Sequence, residues 1–188
     1  METWVWILIA AVIVAVIVVI AAAWALQGRR RAHLRDRFGP EYDRAVSDSG
    51  RRTAERRLSA VENEHEKLDI RPLSEAARER YLDEWRAVEA RFVNDPEDAT
   101  KAAERIVLRA LEEQGYPTGR DPEERSAHLA VDHPDVVERY RHGHQMVHGN
   151  GAEGDERTEN LRKAMVDFRA VFEQLVEPAS QPDLSAQR

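Results

Sequence analysis

The chain has 188 residues, no cysteine and a formal net charge of −7, from 28 basic and 35 acidic side chains. The absence of cysteine excludes disulfides, thiol nucleophiles and thiolate metal ligands. An acidic chain of mixed charge is also a poor nucleic-acid binder, because such binding depends on neutralising phosphates, so we expect no nucleic-acid partner.

The N-terminal stretch from Trp4 to Leu26 contains no charged residue. As a helix it would extend about 35 Å, enough to cross a hydrocarbon core of about 30 Å. Trp4, Trp6 and Trp24 lie near its ends, where indole rings favour the headgroup region. A cleaved signal peptide is the alternative, but no basic residue precedes the run, which also exceeds the usual length of about 7 to 15 residues. The pattern predicts a transmembrane anchor over 1–27.

A basic juxtamembrane segment, 28–37, follows the anchor and contains Arg29, Arg30 and Arg31. Positive charge tends to remain on the cytoplasmic side of a membrane. We therefore predict a single-pass protein of the inner (plasma) membrane, with its N-terminus outside and its C-terminal domain in the cytoplasm. The expected partners begin with the lipid bilayer and the anionic headgroups that the basic segment would attract.

Apolar residues at helical spacing follow the basic segment. Pro40 suits the first turn of a helix, and no further proline occurs before about Leu68. The predicted element is one long helix with a possible bend near Gly50, whose second half carries a stripe at steps of four and three: Ala54, Leu58, Val61, His65 and Leu68. Ser74 is placed to cap the next helix. That helix carries apolar residues at steps of three and four: Tyr81, Trp85, Val88 and Phe92.

Aspartates mark the starts of three further predicted helices. Asp95 and Asp121 each precede a proline, a combination typical of a helix N-terminus. Asp132 is placed to cap the helix that leads into a histidine-rich stretch. Gly115 marks the end of the helix that begins at Asp95, and the last helix is expected to start near Thr158.

The chain after Pro178 has little apolar content, and 178–188 is predicted to be a disordered tail. No stretch shows the alternation typical of a strand. The predicted fold is all-α, with one N-terminal transmembrane helix followed by a compact bundle of about five or six helices in a cytosolic domain over 38–177.

Four stretches of this domain carry a family resemblance. They are FGPEYDRAV at 38–46, IRPLSEAARERYLDEWRAVEARFVNDPEDA at 70–99, VDHPDVVERYRHGH at 131–144 and LRKAMVDFRAVFEQLVE at 161–177. Together they resemble an uncharacterised family of small membrane-anchored bacterial proteins, mainly from actinobacteria. The resemblance implies an anchor followed by a helical cytosolic domain, and it assigns no activity, cofactor or catalytic residue.

The stretch HQMVH, from His144 to His148, has the spacing of a helical zinc site. Two histidines one turn apart bind the metal in metallopeptidases of the HExxH type, where the intervening glutamate is the general base. Gln145 occupies the position of that glutamate, and an amide cannot accept a proton at neutral pH. The stretch therefore predicts at most a metal site without this hydrolytic chemistry.

The third ligand of such a site cannot be assigned from the sequence. His133 lies about 16 Å along the same helix from His144, which is too far for the two residues to share one ion. Another helix must supply the ligand, with His65, His128 and many carboxylates as candidates. In the alternative interpretation, His133 lies at the helix start beside its cap, His144 borders the core, and each is satisfied by a hydrogen bond.

Gly149, Gly151 and Gly154 match the pattern GxGxxG. A dinucleotide site needs a strand before the glycines, whereas here the preceding element is predicted to be helical and the neighbouring acidic residues would repel phosphate. We therefore predict a flexible loop between helices.

These patterns predict a membrane-tethered helical interaction or scaffold protein and not an enzyme. Its expected partner is a protein that the sequence does not identify, a homo-oligomer is possible, and no cofactor is expected. The alternative function is a metal-binding or sensory domain centred on His144 and His148.

Overall fold

A computed structural model of the chain describes residues 2–119, 121–149 and 151–177. Within these ranges the fold is all-α and contains no strand, as predicted. The predicted tail over 178–188 lies outside the described residues, and so does the side chain of Trp6. The helices are α1 (Glu2–Phe38), α2 (Pro40–Ser49), α3 (Arg51–His65), α4 (Glu75–Phe92), α5 (Pro96–Gln114), α6 (Pro122–Asp132), α7 (Pro134–His148) and α8 (Gly154–Val176).

The N-terminal helix α1 is the one helix of the described chain that is long and apolar enough to cross a membrane, and its apolar part is not buried against the protein. Trp4 and Trp24 are both exposed. The helix continues without a break through the basic segment. Its last two turns then enter the protein interior, where Leu34 and Phe38 are 1% and 0% exposed. Packing therefore joins the apolar helix directly to the domain.

Helices α2 and α3 form a hairpin in place of the single long helix that the apolar stripe predicted. Gly50 separates them with a φ of 75° and a ψ of 152°, outside the helical region, which glycine adopts without a Cβ penalty. Tyr42 Oη donates a hydrogen bond to Glu55 Oε1 across the hairpin at 3.1 Å. The stripe from Ala54 to His65 is buried along α3, as its spacing predicted, but α3 ends at His65, before Leu68, and a sharp reversal at Gly50 makes α2 a separate helix. The bundle beyond α1 consequently contains seven helices in the described chain.

Side-chain caps determine where three of the helices begin. The side chains of Ser74, Asp95 and Asp121 accept hydrogen bonds from backbone N–H groups of α4, α5 and α6, as predicted. The prediction for Asp132 was wrong, because α6 extends through this residue and His133 is the N-cap of α7, without a side-chain capping bond. Helix α8 begins at Gly154, four residues before the predicted start.

Two apolar clusters form the interior. The distal core lies between α4, α5, α7 and α8, and its stacked rings Trp85 and Phe172 have centroids 4.5 Å apart. The proximal core joins the end of α1 to α2, α3 and α6. Helix α6 contributes to both, because Leu129 packs in the distal core and Ala130 in the proximal core. This arrangement holds α5 and α7 side by side in the distal part.

Candidate metal centre

The histidine pair on α7 meets a carboxylate from α5. His144 Nδ1 lies 2.6 Å from Glu104 Oε1, and His148 Nε2 lies 2.8 Å from Glu104 Oε2. The two imidazole rings are one helical turn apart, with centroids 4.4 Å from each other. Glu104 is thus the side chain from another helix that the sequence left unassigned.

Glu104 reaches this position because it belongs to the buried face of α5. It is 6% exposed and falls in a stripe with Thr100, Val107 and Leu111, all of which are buried. The steps of four, three and four residues place these side chains along one line of the helix. In the sequence, a glutamate in line with the apolar residues Val107 and Leu111 is the signal that could have identified Glu104.

Close packing and a capping arginine fix the end of α7 that carries the histidines. A Cβ on Gly143 would lie 3.0 Å from the Phe168 ring, so the glycine permits α7 and α8 to approach closely. Arg157, from the first turns of α8, donates hydrogen bonds to the carbonyl oxygens of Met146 and Val147 at 2.8 and 2.9 Å. These bonds satisfy carbonyls that the helix end leaves without intrahelical partners.

The two histidines keep Glu104 ionised. Burial acts to raise the pKa of Glu104, but the hydrogen bonds and charges of His144 and His148 outweigh burial and lower this pKa. A carboxylate only accepts hydrogen bonds, so the nitrogen of each histidine that faces it carries the proton. A metal ion would take the place of both protons, and each neutral imidazole would then carry its proton on the other ring nitrogen.

The donor set fits one transition-metal ion after a small expansion. The ligand atoms of Glu104, His144 and His148 all lie within 4.8 Å of one another. Metal bonds of about 2.1 Å place neighbouring ligand atoms about 3.0 to 3.4 Å apart, so each hydrogen-bonded pair must separate by about half an ångström. His148 can supply this movement, because half of its side-chain surface is exposed. Two imidazoles and a carboxylate suit Zn²⁺ or Fe²⁺ and leave coordination positions open.

An open groove of about 610 Å³ lies beside the histidines. Its other end contains Arg44 and Arg141, which both bind the buried carboxylate of Glu41. Arg44 also pairs with Glu123 at 2.5 Å. The carboxylates neutralise these arginines, so the groove gives a bound metal access to water without adding a cationic clamp for an anionic substrate. Gln145 also lines the groove and offers no general base.

The other histidines named from the sequence lie elsewhere. His65 Nε2 pairs with Asp132 at 2.9 Å, and the rings of His65 and His128 stack with centroids 6.1 Å apart. Asp132 also accepts a hydrogen bond from the Tyr116 hydroxyl at 2.6 Å, which explains why its carboxylate does not cap α7. His133, at the start of α7, has a pKa that burial lowers. Neither His65 nor His128 reaches the pair on α7.

The glycine pattern lies in a connection between helices. Gly149 follows the last residue of α7, and α8 begins at Gly154, so the described part of this connection contains no strand. Gly151 and Gly154 have φ values of 116° and 58°. These values suit a turn, and a turn between two helices is not the strand–turn–helix unit that binds a dinucleotide.

The predicted interfacial arginines divide into two groups. Arg31 Nε donates to Glu55 Oε1 on α3 at 3.1 Å. Arg29 and Arg30 are exposed and have no ion pair among the described residues. The segment therefore both packs on the domain and leaves positive charge at the end of the apolar helix.

The geometry of the candidate centre is the basis for any functional conclusion, since three comparisons with known proteins produced no match. No family model, no curated protein and no solved structure matches the chain.

Proposed function

We propose that the protein is a membrane-anchored helical domain that binds one divalent transition-metal ion through Glu104, His144 and His148. The observation that carries this proposal is the bridge made by Glu104, whose two oxygens each contact one of two histidines one turn apart on the neighbouring helix. The role is binding and not hydrolysis, because an amide stands where the HExxH site needs its base.

Metal analysis of the purified full-length protein tests the proposal. We expect one equivalent of Zn²⁺ or Fe²⁺ per chain and a lower melting temperature in chelator. Replacing one ligand, in His148→Gln, should weaken binding of added Zn²⁺ by more than about 100-fold. The matched control is His142→Gln on the same helix, because His142 contacts Asp167 and not the centre. Absence of metal together with unchanged melting in chelator would refute the metal function.

The membrane part of the proposal places α1 across the inner membrane, with the N-terminus outside and the helical domain in the cytoplasm. It is supported by the exposed apolar surface of α1 and by the arginines that follow. Membership in the family of small membrane-anchored bacterial proteins that the sequence resembles belongs to the same proposal, because the resemblance implies this architecture.

Single cysteines test this orientation cleanly, because the chain has none. Val93→Cys introduces a thiol at an 87% exposed position of the domain, and Thr3→Cys introduces one before the apolar run. A membrane-impermeant maleimide should label Thr3→Cys in intact cells and Val93→Cys only after permeabilisation. The reverse pattern would overturn the orientation, and a mature protein lacking the apolar run would identify α1 as a cleaved signal sequence.

A scaffold role is the second candidate function. A groove of about 460 Å³ between α4 and α5 favours it, because Ala87 and Leu108 provide apolar surface beside arginines. Apolar surface with a polar rim is typical of protein interaction sites. If a partner or a second copy binds there, Leu108→Asp should abolish its cross-linking in native membranes, whereas His148→Gln should leave it unchanged. Equal cross-linking by both variants would refute this binding surface.

A further inference from the structure

The hairpin of α2 and α3 brings a second set of arginines beside the end of the apolar helix. Arg31 pairs with Glu55, and His33 with Glu62 at 2.7 Å, so residue numbers rise together along α1 and α3. The two helices therefore run in the same direction. The first turns of α3 consequently lie beside the part of α1 where its apolar run ends.

A cavity of about 480 Å³ lies between these two helix segments. From α1 it is lined by Leu26, Gln27 and Arg30, and from α3 by Arg52, Glu55 and Arg56. Leu26 is the last apolar residue of the run, and Arg30 follows it by about 6 Å along the helix axis. With α1 in a bilayer, the cavity lies at the depth of the lipid headgroups.

The charge available in this cavity is positive. Arg30, Arg52 and Arg56 are exposed and make no ion pair with any residue that the structure describes. Glu55 is the one acidic group in the lining, and its Oε1 already accepts hydrogen bonds from Arg31 and from the Tyr42 hydroxyl, each at 3.1 Å. This contrasts with the groove beside the candidate metal centre, whose arginines are paired.

We propose that the arginine cavity between α1 and α3 binds the phosphate headgroup of an anionic phospholipid. Arginine forks suit phosphate oxygens, and Leu26 extends the lining toward the acyl region. Arg52 belongs to the first turn of α3, so the partial positive charge at the N-terminus of this helix adds to the field in the cavity. Such a site prefers anionic phospholipids over other lipids more strongly than the general attraction of a basic segment would. The proposal rests on the proposed membrane position of α1.

Lipid retention by the full-length protein tests the site. The protein is reconstituted in vesicles of equal amounts of phosphatidylglycerol and phosphatidylcholine, extracted in mild detergent, and analysed for bound lipid by mass spectrometry. We expect phosphatidylglycerol to be retained preferentially. The variant Arg52→Gln/Arg56→Gln should lower the ratio of the two lipids by about fivefold per arginine removed.

The matched control is Arg91→Gln/Arg105→Gln, which removes the same charge from exposed positions on α4 and α5. Both variants should keep the helix content and melting temperature of the parent protein. An unchanged lipid ratio in Arg52→Gln/Arg56→Gln, or an equal loss in the control, would overturn the proposal. Displacement of the lipid by millimolar inorganic phosphate would also overturn it, because it would identify a site for soluble phosphate.

Alkaline carbonate extraction of native membranes separates this proposal from the proposed membrane position. A protein that resists extraction but shows no lipid preference lacks the headgroup site and keeps its anchor. A protein that carbonate releases from the membrane has neither the anchor nor the headgroup site.

Discussion

Glu104→Gln replaces the bridging carboxylate with an amide of the same shape. In the metal-free protein, Glu104 accepts one charge-assisted hydrogen bond from each histidine. The amide oxygen of glutamine can retain one of them, whereas its NH₂ group faces the N–H of the other imidazole. Hydrogen bonds to charged groups contribute about 1.5 to 3 kcal/mol each. We therefore expect the free energy of unfolding to fall by about 2 kcal/mol, which for a chain of this size lowers the melting temperature by about 6 °C.

The pH dependence of this difference gives a second check. The pKa of Glu104 is lower in the folded protein than its ordinary value, so its stabilising contribution is complete above about pH 4.5. It is lost as the pH falls through the folded value. The parent protein and Glu104→Gln should therefore differ at neutral pH and converge in stability only at pH values below the lowered pKa of Glu104.

Urea unfolding of the full-length proteins in detergent, with chelator present, measures both quantities. In a second measurement without chelator, Zn²⁺ at about 100 times its dissociation constant should add about 2.7 kcal/mol to the parent protein and much less to Glu104→Gln. A variant as stable as the parent at neutral pH would refute the hydrogen-bonding role of Glu104. Equal stabilisation of both proteins by Zn²⁺ would refute its role as a ligand.

Three further substitutions test the interior. Glu41→Gln leaves two arginines without their buried carboxylate and should lower the free energy of unfolding in urea by about 3 kcal/mol. Glu138→Gln, at the exposed end of the same network, should lower it by less than about 1 kcal/mol, and equal losses in the two variants would contradict the buried network. Burial lowers the pKa of His128, so below about pH 6.5 the unfolded chain binds more protons than the folded chain and stability should decrease. His128→Gln should reduce this decrease. An unchanged dependence of stability on pH would show that other groups cause it. Gly115→Ala places a Cβ 2.6 Å from the Asp69 carbonyl oxygen at a φ of 100° and should lower stability by at least about 1 kcal/mol. The control Gly28→Ala lies within α1, where its Cβ meets no atom, and should not lower stability; a harmless Gly115→Ala would contradict the turn geometry.

Local signals predicted most of the helices. The caps Ser74, Asp95 and Asp121 depend on contacts within three residues, so the sequence identified them correctly. Asp132 differs because its local pattern suits a cap, whereas Tyr116 and His65 bind its carboxylate in the fold. Tertiary partners at long sequence distance therefore overrode the local preference at that position.

The candidate centre was predictable in part for the same reason. The spacing of His144 and His148 is local and places both side chains on one side of a helix. Their pairing with Glu104 spans 40 and 44 positions of the chain and depends on how α5 packs against α7. The buried stripe on α5 could have identified Glu104 as an unusual carboxylate, but it could not show which helix Glu104 faces.

The burial of Leu34 and Phe38 determines how motion in the bilayer would reach the domain. Because α1 continues as one helix from its apolar run into the proximal core, it acts as a rigid lever and not as a flexible tether. About 18 Å of helix separate Leu26 from Phe38, so with α1 in a bilayer as proposed, a change in its tilt or rotation would swing the whole domain across the membrane surface. Two chains that pair through α1 would consequently hold their histidine centres at one fixed mutual orientation.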